Sequence, residues 1–105
     1  MGAKGIKIRD LEHLRGLLRD SPLKIKSVFL FGSRARGDYL EESDWDLLLV
    51  SPEFANIPFP ERATMVLKKF PLRRVELLCY TEEEFRERVK EIGIVAEAAK
   101  GIKLI

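Results

Sequence analysis

One cysteine and one histidine, Cys79 and His13, occur in 105 residues. No internal disulfide can form, and neither a thiolate zinc cage nor a histidine-rich metal site can be assembled, so a metal on this chain must be held by oxygen. Apolar runs are short as well. None approaches the ~20 residues of a membrane-spanning helix, and Met1 to Lys7 contains no apolar stretch of signal-peptide length. A cytoplasmic protein with no membrane contact is expected. Five prolines and seven glycines are too few for a disordered or collagen-like chain. Charge of one sign is also lacking: 19 basic against 17 acidic residues leave +2, which excludes the strongly basic balance of a nucleic-acid-coating protein. Nucleic acid is not expected as a direct partner.

What is present is a core. Residues are 46% hydrophobic and 34% charged, and the length suits a single domain over 1–105. The charges are unevenly placed. Residues 1–40 carry nine Lys/Arg and four Asp/Glu, whereas 41–105 carry ten and thirteen. One half is suited to phosphate and the other to cations.

Apolar residues at Ile8, Leu11, Leu14, Leu17 and Leu18 have helical spacing, stopped at Ser21-Pro22. His13 falls on the polar side of that helix. A β-branched and aromatic run from Lys26 to Phe31 reads as a strand ending at Gly32. The segment Gly32-Ser-Arg-Ala-Arg-Gly-Asp38 reads as a turn opening into a brief helix, and Asp44 to Val50 as a second strand. A second long helix is placed at about Glu61 to Phe70, and a third strand at Val75 to Tyr80, where Cys79 alternates with Leu77 as a small buried apolar residue. Thr81 with Glu84 forms a capping box, starting a helix at Glu82 with Glu82–Arg86 and Glu84–Arg88 pairs on its exposed face. Gly93 interrupts, a short helix follows over Ile94 to Lys100, and Ile102 to Ile105 adds a last strand. The fold class is mixed α/β (α+β), with a small sheet of three or four strands and helices mainly on one face.

Chemistry concentrates in three places. Asp44 and Asp46 stand two apart on an otherwise apolar strand, so alternation turns both carboxylates to one face. Like charges there are costly unless a cation neutralises them, and an all-oxygen pair suits Mg²⁺. Alone, such a pair also fits a turn acid followed by a solvent-facing residue. Glu76 interrupts the apolar third strand, where a neighbouring strand could bring it beside the aspartates; an ion pair with Arg73 or Arg74 is the other reading. Gly32-Ser33 opens a helix after a strand, offering backbone N–H groups and a hydroxyl to phosphate, with Arg34 and Arg36 adding positive charge. Together a phosphate cradle, two paired acids and a third acid are the equipment of two-metal phosphoryl transfer.

Gly32-Ser33, ten residues, then Asp44-x-Asp46, within Phe31-Gly-Ser-Arg-Ala-Arg-Gly37 and Ser43-Asp-Trp-Asp-Leu47, resembles the minimal (MNT) branch of the polymerase-beta-like nucleotidyltransferases. Four fixed residues at these offsets arise by chance in roughly one chain of this length in a thousand. The resemblance implies a minimal palm in which Gly32, Ser33 and Arg36 bind the nucleotide. It also implies that Asp44, Asp46 and Glu76 are the catalytic acids holding two Mg²⁺ ions, with ATP as substrate. Two positions depart from the family pattern. Glu76 stands where aspartate is commoner, and Trp45 where a smaller aliphatic is usual.

A palm of this length leaves little chain for an acceptor-binding domain. Minimal nucleotidyltransferases of this kind are often antitoxins paired with a HEPN-domain ribonuclease toxin. The leading expectation is therefore transfer of AMP from ATP to a tyrosine of such a toxin, in a homo- or hetero-oligomer. A non-catalytic module that sequesters its partner is the alternative, and transfer to a small molecule or an RNA 3′ end a further one.

Overall fold

In the computed structural model, which describes residues 5–105, the chain builds a four-stranded sheet in the spatial order Val75–Tyr80, Trp45–Val50, Ser27–Phe31, Ile102–Lys103. Met1 to Lys4, part of the segment read for a signal sequence, lie outside the described residues. Helix α1 spans Leu11–Arg19 and starts later than its apolar spacing predicts. Asp10 caps it, its carboxylate accepting the His13 N–H at 2.8 Å, so Ile8 falls ahead of the helix and is buried in the segment that leads into it. His13 accepts the Arg9 N–H at Nδ1, 3.0 Å away, which gives it a place at the helix start.

Strand β1 (Ser27–Phe31) pairs antiparallel with β2 (Trp45–Val50), Phe31 opposite Asp46. Between them lie the single turn α2 (Ser33–Arg36) and a loop over 37–44. After β2, a 3-10 turn at Pro52–Phe54 and helix α3 (Phe59–Lys69) cross over to β3 (Val75–Tyr80), which runs parallel to β2. Pro58 and Pro60 sit at the start of α3, where a missing N–H costs nothing. Helices α4 (Glu82–Arg88) and α5 (Ile94–Ala99) lead to β4 (Ile102–Lys103), antiparallel to β1. Gly101 lets β4 approach, since a Cβ there would fall on the Leu30 carbonyl.

Alternation along the strands divides the core. Val28, Leu30, Leu47, Leu49 and Cys79 face α1 and α3 in the larger cluster, while Phe29, Leu48, Val50 and Tyr80 face α4 and α5 in a smaller one. Coverage is therefore heavier on one face, as expected, and the other is covered in part by two short helices. Each fully buried leucine of β2 contributes about 1.5–3 kcal/mol by leaving water. Burial also pushes the Cys79 thiol up to about 12, so it behaves as the inert apolar residue expected.

One side-chain pairing differs from expectation. Glu84 closes the capping box with Thr81, but its carboxylate takes a bidentate contact from buried Arg62 of α3, at 2.6 and 3.0 Å, and not one from Arg88. The Arg62 guanidinium is enclosed and needs a counter-charge, whereas Arg88 is in water. Glu82–Arg86 does pair, at 3.8 Å. Among the described residues no helix is long and apolar enough to cross a membrane.

Candidate active site

The site grows from the end of β1. Strand β1 stops at Phe31 because Gly32 takes φ +76, a conformation side chains rarely adopt. Space demands glycine as well, since a Cβ there would collide with Oδ2 of Asp46. The backbone of the Gly32-Ser33 turn is thus pressed against the second aspartate. Gly37 (φ +91) closes α2 one turn later, its N–H donating to Ser33 O at 2.9 Å. The N–H groups of Ser33 and Arg34 open this turn and have no backbone acceptor among the described residues.

On the other side of β2, Asp46 is in register with Glu76 of β3, and both point to the less covered face. Asp44 lies one residue ahead of β2, which starts at Trp45 and not at Asp44 as the spacing predicts, and is near enough for its charge to act on Asp46. Asp46 is half-buried, whereas Asp44 and Glu76 are exposed. Desolvation by burial holds the Asp46 carboxyl above the usual carboxylate range, with Glu76 and then Asp44 adding repulsion and Arg36 opposing them. None of the three acids forms an ion pair or side-chain hydrogen bond among the described residues. Glu76 is accordingly not held by Arg73 or Arg74; the Arg74 guanidinium instead donates to Glu42 O at 3.1 Å.

No group of three Asp, Glu, His or Cys side chains converges as a metal cage among the described residues. Asp46 and Glu76 share one end of one face, Asp44 lies just ahead of it, and the three do not close on a point. The donor set still fits a divalent ion: it is all oxygen, its central member is partly desolvated among like charges, and Mg²⁺ takes one or two carboxylates while water and phosphate complete its shell.

Arg36 is exposed, with Nε 3.3 Å from Asp38 Oδ2, and it lies close enough to lower the Asp46 pKa. Arg34, expected from the sequence to add positive charge for phosphate, is instead committed to the loop before β2. Its guanidinium lies 4.1 Å from the Trp45 ring centroid and 4.5 Å from that of Tyr39. It also donates to Ser43 O at 2.9 and 3.1 Å and to Glu41 O at 2.8 Å. The loop that delivers Asp44 is therefore pinned to α2 through Arg34. This accounts for the unusual Trp45: buried between the two aspartates in sequence, its indole supplies the platform. An aromatic between paired acids, with an arginine on the preceding turn, was the available signal. Beside α2 a cleft of about 540 Å³ runs between Gly32 and Arg36 on one side and Ile94 and Lys100 on the other.

A turn backed against an aspartate, with two more acids on the same sheet end, defines a nucleotidyltransferase-type palm. Residues 11–103 match the model of the nucleotidyltransferase domain, and the chain belongs to that family. Over 90% of its length it resembles the crystal structure of a candidate nucleotidyltransferase from Sulfolobus solfataricus, at 32% identity and TM-score 0.52, covering 83% of that chain. A toxin–antitoxin structure with AMP-PNP shares the fold at 22% identity and TM-score 0.53, over 92% of this chain and 73% of that one. Two Methanocaldococcus jannaschii proteins named as candidate protein adenylyltransferases also match. MJ0604 is 67% identical over 27 residues, and MJ0141 is 38% identical over 50. The matched stretches are 26% and 48% of this chain, and span about a quarter and a half of those relatives' lengths (27% and 50%).

Proposed function

We propose that this protein is a Mg²⁺- and ATP-dependent protein adenylyltransferase that acts as an antitoxin, modifying a tyrosine of a HEPN ribonuclease toxin. The observation that carries the reading is the contact of the Gly32 backbone with the Asp46 carboxylate, with Glu76 in register on the next strand. Phosphate-binding and metal-binding groups then adjoin, as transfer at an α-phosphate requires. The adenylyltransferase names of the M. jannaschii relatives support a protein as acceptor, and the toxin–antitoxin context of a structure with this fold supports a toxin as partner.

In this reading the Ser33 and Arg34 N–H groups and the Ser33 hydroxyl donate to triphosphate oxygens, and the Arg36 guanidinium offsets their charge. Asp44, Asp46 and Glu76 would hold the magnesium. Bound there, it supplies charge neutralisation on the triphosphate and a lowered pKa for the acceptor hydroxyl. The exposed Glu76 carboxylate takes the hydroxyl proton and passes it to water. The acceptor oxygen bonds to the α-phosphorus, the bond from that phosphorus to the bridging oxygen breaks, and pyrophosphate leaves. Gly32 fixes the phosphates against Asp46, so catalysis is mainly positioning.

Incubation with labelled ATP, Mg²⁺ and a HEPN toxin that this protein binds should label the toxin. No transfer, or equal transfer from Asp44→Ala/Asp46→Ala, would sink the catalytic reading. One observation favours a second reading, sequestration by contact alone: the acids do not converge into a closed cage among the described residues. Under that reading the double variant still neutralises the toxin.

A further inference from the structure

At the end of the sheet where the acids lie, but on its opposite face, a groove of about 500 Å³ is lined by five basic side chains: Lys7, Arg9, Arg34, Arg73 and Arg74. Trp45 and Ile8 line its floor, and Glu41 and Glu42 its margin. The location follows from strand alternation. Trp45 and Val75 are partners in the β2–β3 ladder and pack on the larger cluster, while the next pair, Asp46 and Glu76, faces the other way. Groove and carboxylates are therefore back to back across one sheet layer.

The five cations are not equivalent. Arg34 is spent on the 37–44 loop, and Arg74 donates to Glu42 O from a backbone at φ +58, a strained conformation for a non-glycine residue. Both are fixed before any ligand arrives. Lys7, Arg9 and Arg73 are exposed, and none has a side-chain hydrogen bond or ion pair among the described residues. A concave surface with three uncommitted cations focuses positive potential outward.

We propose that this groove docks an acidic segment of the protein acceptor, an assignment that rests on the protein-adenylyltransferase reading above. The margin decides between polyanions. A nucleic-acid strand carries charge at every repeat and would press phosphates against Glu41 and Glu42. A peptide can set its acids opposite Lys7, Arg9 and Arg73 and place neutral residues by the two glutamates. In this proposal the acceptor passes round the start of β2 and β3, the end that Trp45 and Asp46 share, to bring its hydroxyl toward Asp46.

Fluorescence anisotropy tests this with a labelled peptide alternating glutamate and leucine, against a uridine oligonucleotide of equal charge and inorganic phosphate as competitor. The full chain should bind the peptide, and Lys7→Glu/Arg9→Glu/Arg73→Glu should weaken binding at least about tenfold, the range in which paired charges act at an interface. Lys7→Gln/Arg9→Gln should weaken it less, and guards against misfolding of the reversed variant. Absence of peptide binding, undiminished binding by the triple variant, tighter binding of the oligonucleotide, or displacement by phosphate as effective as by unlabelled peptide each overturns the proposal. The two readings fail separately. Peptide binding that persists without any transfer from ATP removes the catalytic reading alone, whereas toxin labelling that is indifferent to the charge reversal removes the docking groove alone.

Discussion

Gly32 and Asp46 are locked together from two directions: the strand register sets Phe31 opposite Asp46, and the next residue turns so tightly that its α-carbon has no room for a methyl group beside the aspartate. Backbone on one side and carboxylate on the other leave no slack between phosphate loop and metal ligand.

Gly32→Ala should damage function more than fold. The backbone at φ +76, ψ −158, a region open almost only to glycine, costs a side chain about 1–3 kcal/mol, and the added methyl forces Asp46 or the turn to move. Calorimetry should show a melting temperature lowered by several degrees, with nucleotide binding lost almost completely. Binding equal to that of the natural protein would show that the turn does not touch phosphate.

Asp46→Asn separates stability from activity. The carboxyl pKa is raised in the folded state, so the folded protein binds the proton more readily than the unfolded chain, and the ionised group opposes folding at neutral pH. The contribution of Asp46 to stability should therefore rise as pH falls through its folded pKa, a gain read as the difference between the natural protein and the variant. The asparagine variant should melt at the same temperature or higher, lose that gain, no longer be stabilised by added Mg²⁺, and transfer at least about a hundredfold more slowly. A variant that melts well below the natural protein would contradict the repulsion inferred at the site.

Glu84 has the opposite sign. Its hydrogen bonds from Arg62 hold the carboxyl down to about 2, against 4.5 ordinarily, so its contribution is complete above about 4.5 and lost as pH falls toward about 2. Denaturant titrations over that window should show stability falling with acid, and Glu84→Gln should flatten the slope. Substitution of Arg88 should leave it unchanged.

Arg34→Lys keeps the charge and removes the planar fork that serves Ser43 O, Glu41 O and two aromatic faces. A loss of about 1–3 kcal/mol is expected, confined to the loop that carries Asp44. Hydrogen exchange should speed up over residues 38–43 and stay unchanged in β2.

Much of this was legible beforehand because it rests on local rules. The capping box of Thr81 with Glu84 and the end of the first strand at Phe31, before Gly32, follow from spacing alone. Glu76 beside Asp46 needed one more fact, that β2 and β3 run parallel with their starts aligned, and pattern alone left it open. What escaped were contacts between distant segments. Arg62 reaching Glu84 over 22 positions and Arg34 clasping carbonyls of the following loop depend on how elements pack, and no periodicity announces them. The late start of α1 had a local signal, Asp10, outweighed by the apolar spacing of Ile8.

Trp45 is the only tryptophan in the chain, and its indole lies under Arg34, one residue from each aspartate and at the floor of the basic groove. The molecule thus carries its own optical probe at the seam between its two faces. Intrinsic emission will respond to a nucleotide settling on one side and to a partner arriving on the other, with no label attached and no other indole to confuse the signal.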